Sequence, residues 1–266
     1  MYKMIVTDLD GTLLNENKMV SSNTKNYLKK IKDNGHIVCI DTGRNIERAK
    51  YAIVNTDFVN YIIANNGALI FDVENNKWLF KSKIKDIIVK ELFLKYINTF
   101  DDFEINTVDY IYRYILQNEI NVPFVKNITN INDFISKIKD VYNITISFKN
   151  ESTINTFLED IKNNYNEIYS FIMQDSFSDK KWITLMNNGV SKFNGIKIVS
   201  NYINIDNSEI IAFGDGLNDI DMIKNVGMGV AMKNALKEIK DVAKDITKSD
   251  NTNEGVIKYL EDVIKW

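Results

Sequence analysis

Short apolar runs alternate with stretches of helical spacing over the first eighty residues of the chain. Met4–Thr7, Ile37–Asp41 and Tyr61–Ala64 are nearly continuous apolar runs, the pattern of short strands buried on both faces. Between the first two, Tyr27, Leu28 and Ile31 fit a helix that Ser21 or Ser22 can cap and that Asn34-Gly35 ends. A second helix suits residues 45–53. Asn65-Asn66-Gly67 marks a turn, and residues 68–71 and 78–80 read as a strand pair. Strands alternating with helices in this way predict a parallel, right-handed, doubly wound sheet.

From residue 83 to 186 the pattern changes. A long helical stretch over 84–100 leads into the aromatic-rich, strand-like 110–117. Helical spacing over 132–140 and 153–165 then alternates with strand-like 144–148, 169–173 and 182–186. The tyrosines of Tyr110-Ile-Tyr112-Arg113-Tyr114 fall on one face of a strand, where packing is the expected role. From Val190 the first pattern returns: helix 192–203, strand 210–213, helix 219–224, strand 226–230, helix 235–242. The return predicts an α/β, Rossmann-like core built from residues 1–82 and 187–266. An α+β domain of residues 83–186 interrupts it. No Pro/Gly/Ser-rich linker marks the joins, and Pro123 is the only proline.

Composition narrows the functional classes. The 266 residues are 45% hydrophobic and 26% charged, as expected for a globular chain. With 33 basic and 36 acidic residues, the net charge of −3 offers no footprint for nucleic acid and no polybasic membrane anchor. No apolar run approaches the roughly 20 residues of a membrane span, and the first strand begins with no signal-like segment before it. A cytoplasmic protein, monomeric or weakly self-associating, is expected. Cys39 lies in a buried-strand pattern and His36 is the only histidine, so a Ser-His-Asp triad or a multi-histidine zinc site is hard to build.

The candidate chemistry sits at two strand ends. Met4-Ile-Val-Thr-Asp8-Leu-Asp10-Gly11 closes an apolar run with two carboxylates and a glycine, and Ile210-Ile-Ala-Phe-Gly-Asp215-Gly-Leu-Asn218-Asp219 repeats the design. In open α/β sheets, ligands bind beyond the carboxyl ends of strands. Two carboxylates about 4 Å apart repel by roughly 4 kcal/mol at an effective dielectric of about 20, and four in one pocket call for a hard divalent cation. An EF-hand is excluded, because its sixth and twelfth positions would fall on Leu13 and Met19. Gly227-Met-Gly229 lacks the third glycine of a dinucleotide-binding loop. Thr42-Gly43-Arg44 follows a strand and could cradle a phosphate. Asp219, near a helix start, also suits the helix dipole.

Asp8-Leu-Asp10-Gly-Thr-Leu-Leu14, Thr42-Gly43-Arg44, Lys192 and Gly214-Asp-Gly-Leu-Asn-Asp219 resemble, in order, the four motifs of the haloacid dehalogenase superfamily. The closer resemblance is to its Cof-type phosphatases, which Asn66-Gly67-Ala68 and the segment 231–235 extend. It covers residues 1–76 and 183–266. The chain departs from the pattern at Phe193-Asn194-Gly195, where glycine often follows the lysine, and at Lys233, where glycine is more usual.

The resemblance implies a Mg²⁺-dependent phosphatase acting on a small phosphorylated metabolite, such as a sugar phosphate, with the inserted domain as a specificity cap. Asp8 would be the nucleophile forming an aspartyl-phosphate, and Asp10 the general acid and base. Thr42 and Lys192 would hold the phosphoryl group, with Gly43, Arg44, Asn66, Gly67 and Asn218 on the phosphate or substrate. Asp8, Asp10 (through its backbone carbonyl), Asp215 and Asp219 would serve the metal. A phosphomutase or phosphotransferase using the same aspartate is the first rival, and a non-catalytic phosphometabolite-binding protein the second. Dehalogenation has no use for the second acid or the metal.

Overall fold

β1 (Met4–Thr7) and β2 (Ile37–Asp41) are buried along almost their whole length, as their unbroken apolar runs require. In this computed structural model, which describes residues 2–114, 123–174 and 180–264, the two strands pair in parallel. α1 (Ser22–Asp33) connects them. The Ser21 hydroxyl accepts a hydrogen bond from the Thr24 amide at its start, and Leu28 and Ile31 are buried along it. α2 (Ile46–Ile53) begins in the same way at Asn45, which accepts from the Arg48 amide. It leads to β3 (Tyr61–Ala64), parallel to β2. After the Asn65–Gly67 turn, β4 (Leu69–Asp72) and β5 (Lys77–Lys81) run antiparallel.

The next segment, Ser82–Val190, forms a compact unit of its own. Its elements are α3 (Asp86–Tyr96), β6 (Phe100–Asn106), β7 (Ile111–Tyr114), β8 (Val125–Asn127), α4 (Ile131–Lys137), β9 (Asn143–Phe148), α5 (Glu151–Asn164), β10 (Ile168–Gln174) and β11 (Lys181–Asn187). Among the described residues they make one sheet in the order β10-β11-β9-β6-β7-β8, antiparallel except where β8 joins β7. Aromatic rings fill its core: Phe103 meets Phe93 edge-on at 4.9 Å and stacks on Tyr114 at 5.3 Å. Tyr112 packs against Phe134 at 4.9 Å, so Tyr112 and Tyr114 serve packing, whereas Tyr110 is exposed with the Lys126 ammonium over its ring.

The long helical pattern over 84–100 breaks earlier than its spacing suggests. α3 ends at Tyr96, and Phe100 already belongs to β6. The β6 pairing shifts register between Phe100 and Phe103, so its buried rings fall three residues apart. A bulge disturbs the period-two signal of a strand in this way. β8 has no apolar alternation and is not apparent in the sequence. Residues 115–117 of the strand-like stretch lie outside the described residues.

The chain then returns to the first unit, Met1–Lys81 with Ser191–Trp266. α6 (Lys192–Tyr202), β12 (Ile210–Gly214), α7 (Ile220–Asn225), β13 (Met228–Ala231), α8 (Lys237–Lys240), β14 (Asp245–Ile246) and α9 (Gly255–Val263) follow. The helix expected over 235–242 shrinks to the single turn of α8. α9, which buries Val256, Ile257 and Leu260, was not anticipated. The sheet order is β14-β13-β12-β1-β2-β3-β4-β5, parallel throughout except at β4 and β5. The core is thus a Rossmann-like doubly wound sheet interrupted by an α+β insertion. β1 lies between β2 and β12, so strands from both sides of the insertion flank the middle of one sheet. Among the described residues, no helix is long and apolar enough to cross a membrane.

Candidate active site

Parallel pairing sets Thr7 beside Phe213, and the Asp8 amide donates to the Phe213 carbonyl at 3.0 Å. The two acidic loops therefore leave the sheet side by side. Gly11 turns the first loop with φ +78°, and a Cβ there would lie 2.2 Å from an Asp215 carboxylate oxygen. Only glycine combines that conformation with that approach. Asp8, Asp215 and Asp219 each place a carboxylate oxygen within 4.8 Å of the others. Thr12 Oγ1 donates to Asp215 Oδ1 at 2.8 Å, and Asp219 Oδ2 accepts from the amides of Asp215 and Gly216, each at 2.9 Å.

Lys192 enters from the first turn of α6, which the Ser191 hydroxyl caps by accepting from the Asn194 amide at 3.2 Å. Its ammonium is wholly buried and donates to Asp8 Oδ1 at 2.6 Å and to Asp219 Oδ1 at 2.5 Å. The departure at Phe193-Asn194-Gly195 leaves a glycine where the helix meets the sheet. A Cβ on Gly195 would lie 2.7 Å from Ile63 Cγ2.

Electrostatics follow from crowding. Burial, reinforced by Asp219 and Asp215, pushes the Asp8 carboxyl well above the usual carboxylate range despite Lys192 beside it. Burial and then Asp219 push Asp215 up to about 6. Burial opposes the charge on Lys192, but Asp219 and Asp8 outweigh it and hold the ammonium above its ordinary value. Three carboxylates thus crowd together with one ammonium bonded to two of them, and a cation with affinity for oxygen ligands would relieve the excess. The donor set of Asp8, Asp215 and Asp219 fits Mg²⁺.

Asp10 behaves differently. Its carboxylate takes a two-pronged contact from Arg44, with Nε at 2.6 Å and an Nη at 2.7 Å, and Lys18 stands 3.9 Å away. Burial would raise its carboxyl, but the Arg44 guanidinium holds it below the usual range. Of the four carboxylates expected in one pocket, three converge, and that of Asp10 is turned to Arg44. The planar fork of arginine favours this bidentate pairing, and a strand-end pattern gives no hint of it. Thr12 was likewise missed, although it stands two residues beyond Asp10.

The remaining candidates gather on neighbouring loops. Thr42 is buried; its hydroxyl accepts from the Arg44 amide at 3.2 Å, and its carbonyl accepts from the Asn66 amide at 3.0 Å. Asn218 Nδ2 donates to Asn66 Oδ1 at 2.9 Å, and Gly43 lies so near that a Cβ would come 3.2 Å from that oxygen. Gly67, at φ +102°, has the Ser191 carbonyl 2.2 Å from its missing Cβ. The structure therefore brings Thr42, Gly43, Arg44, Asn66, Gly67 and Asn218 together beside the acidic loops. Lys233 is exposed, and its charge acts on Asp250.

Residues 5–260 match the family of haloacid dehalogenase-like hydrolases. The chain is 27% identical to the 5-amino-6-(5-phospho-D-ribitylamino)uracil phosphatase YitU of Bacillus subtilis, over 97% of this chain and 96% of that one. It is also 27% identical to YcsE of the same organism, which carries the same phosphatase name, over 97% and 94%. Among solved structures, a haloacid dehalogenase-like hydrolase from Bacteroides thetaiotaomicron superposes with a TM-score of 0.82 at 26% identity, covering 99% of this chain and 100% of that one.

Proposed function

The chain belongs to the haloacid dehalogenase-like hydrolases, and on that premise we propose that it is a Mg²⁺-dependent phosphatase of small phosphorylated metabolites, working through an aspartyl-phosphate on Asp8. The observation that carries this reading is the buried lysine held between Asp8 and Asp219 in the carboxylate trio. A binding protein has no need to keep a nucleophilic carboxylate oriented by a buried ammonium.

Lys192 engages Asp8 Oδ1, so Oδ2 is the oxygen left to attack phosphorus. The Asp8–phosphorus bond forms as the bond to the leaving oxygen breaks, and Asp10 supplies the proton that oxygen takes up. Water then attacks the acyl-phosphate, yields its proton to Asp10, and restores the Asp8 carboxylate with release of inorganic phosphate. Asp10 must first leave Arg44, for which an incoming phosphoryl dianion competes, and take up a proton from solvent before it can donate one. Asp8, Asp215 and Asp219, with the backbone carbonyl of Asp10, would hold Mg²⁺, which when bound neutralises charge on the phosphoryl oxygens. The Ser82–Val190 unit would act as the cap that chooses the leaving group. YitU and YcsE bear the name of phosphatases for a phosphorylated ribitylamino pyrimidine, so sugar-alcohol and sugar phosphates lead the list of candidate substrates.

The test is a panel of phosphorylated metabolites assayed with Mg²⁺ and with chelator. Phosphate release is expected from some of them, lost on chelation and restored by Mg²⁺. Full turnover in metal-free buffer would refute the metal role. Transfer of the phosphoryl group to a sugar hydroxyl in place of water would move the enzyme to the phosphotransferases.

A further inference from the structure

Asp41 ends β2 with its side chain fully buried, and among the described residues neither carboxyl oxygen has a hydrogen-bond partner. Such a group is costly to fold around, and the mechanism above gives it no task. Its position suggests one. Thr7 pairs with Ile40, so Asp8 and Asp41, each one residue further on, project to the same face of the sheet. Lys192, Asp219 and Asp8 all lie within Coulombic reach of Asp41. The Lys192 ammonium has three donor hydrogens, and two of them go to Asp8 and Asp219.

We propose that Asp41 is a positioning residue for Lys192: through one bridging water its carboxyl takes the third Nζ hydrogen and fixes the ammonium between Asp8 and Asp219. A single water spans a gap too wide for a direct hydrogen bond at little entropic cost. Fixing all three hydrogens stops the ammonium from swinging away as the Asp8 carboxylate gives up its charge to the phosphoryl group. The assignment rests on the phosphatase reading of Asp8 and Lys192. Burial pushes the Asp41 carboxyl well above the carboxylate range, against the pull of Lys192. A neutral polar side chain of the same shape should therefore replace it.

The experiment compares full-length wild type with Asp41→Leu, Asp41→Ala and Asp41→Asn, measuring kcat and KM on p-nitrophenyl phosphate with Mg²⁺, and the melting temperature. Loss of an outer partner typically costs about 10-fold or more, so the Leu and Ala variants should lose kcat by about that factor while KM stays within about twofold. The Asn variant should recover to within about threefold of wild type on the same scale. The Leu variant, which trades a buried carboxyl reached only through a water for an apolar side chain, should melt no lower than wild type while being slower. A purely structural residue would lower kcat and melting temperature together. That result, or Leu and Ala variants as fast as wild type, overturns the positioning role. Should the Leu variant fail to fold, the kcat split between the Ala and Asn variants decides alone. Wild type without turnover would overturn the phosphatase reading and this role together, whereas an active wild type with indifferent variants would remove only the role of Asp41.

Discussion

Asp8, Asp215 and Asp219 place carboxylate oxygens within 4.8 Å of one another, two of these side chains bonded to the buried Lys192 ammonium, and this crowding has a pH signature. Burial raises the carboxyls of Asp8 and Asp215, the latter to about 6, so the metal-free native state binds more protons than the unfolded chain above the usual carboxylate range. Stability of the metal-free protein should then fall as pH rises toward about 6. Mg²⁺ should raise the melting temperature more at neutral pH than in mild acid. Thermal melts across pH with and without Mg²⁺ check this, and a metal-free protein that gains stability over that interval would contradict it. For Asp10, the ion pair with Arg44 leaves the acid–base role to be earned in turnover. Asp10→Asn should cut kcat by about 10²-fold or more, most for poor leaving groups, with little change in ligand affinity. A variant as fast as wild type would end that assignment.

At the scale of elements, the site depends on how closely loops approach. Gly11→Ala should force the first acidic loop away from Asp215, because its Cβ would land 2.2 Å from that carboxylate at φ +78°. The left-handed conformation alone costs roughly 1–2 kcal/mol for a residue with a side chain. Gly35, at φ +87° with nothing within 4 Å of a Cβ, is the matched control. Gly35→Ala should show the conformational cost alone and keep its Mg²⁺ dependence, whereas Gly11→Ala should lose activity and need more Mg²⁺. Equal behaviour of the two variants would show that the Gly11–Asp215 contact is unimportant. In the insertion, Phe103 is fully buried between Phe93 and Tyr114, and Phe103→Ala should destabilise that unit by about 3–5 kcal/mol, read by denaturant titration.

At the scale of the molecule, every residue of the candidate site belongs to the unit of Met1–Lys81 and Ser191–Trp266. Replacing the insertion with a short linker should leave a core that still binds Mg²⁺ and hydrolyses an activated aryl phosphate, whose leaving group needs little help. It should lose discrimination among natural metabolites. A soluble core that keeps the substrate ranking of the full chain would place specificity elsewhere.

The core strands were legible because burial on both faces leaves an apolar run that little else produces, and the acidic strand ends because repelling carboxylates side by side need a reason. β6 was not, since a register shift spaces Phe100 and Phe103 like a helix face, nor was β8, which has no apolar signal. Local pattern determined the alternation of strands and helices, a first-helix start at Ser21 or Ser22, and the acids and the lysine of the candidate site. Tertiary structure alone decided which partner each charge found. Strand order put β1 beside β12 and thereby joined Asp8 to Asp215, residues far apart in the chain. It turned Asp10 to Arg44 and buried Asp41 with no direct hydrogen-bond partner among the described residues. Sequence spacing fixes distances only within an element, whereas the field at a carboxylate is set by whatever folding brings within a few Å of it.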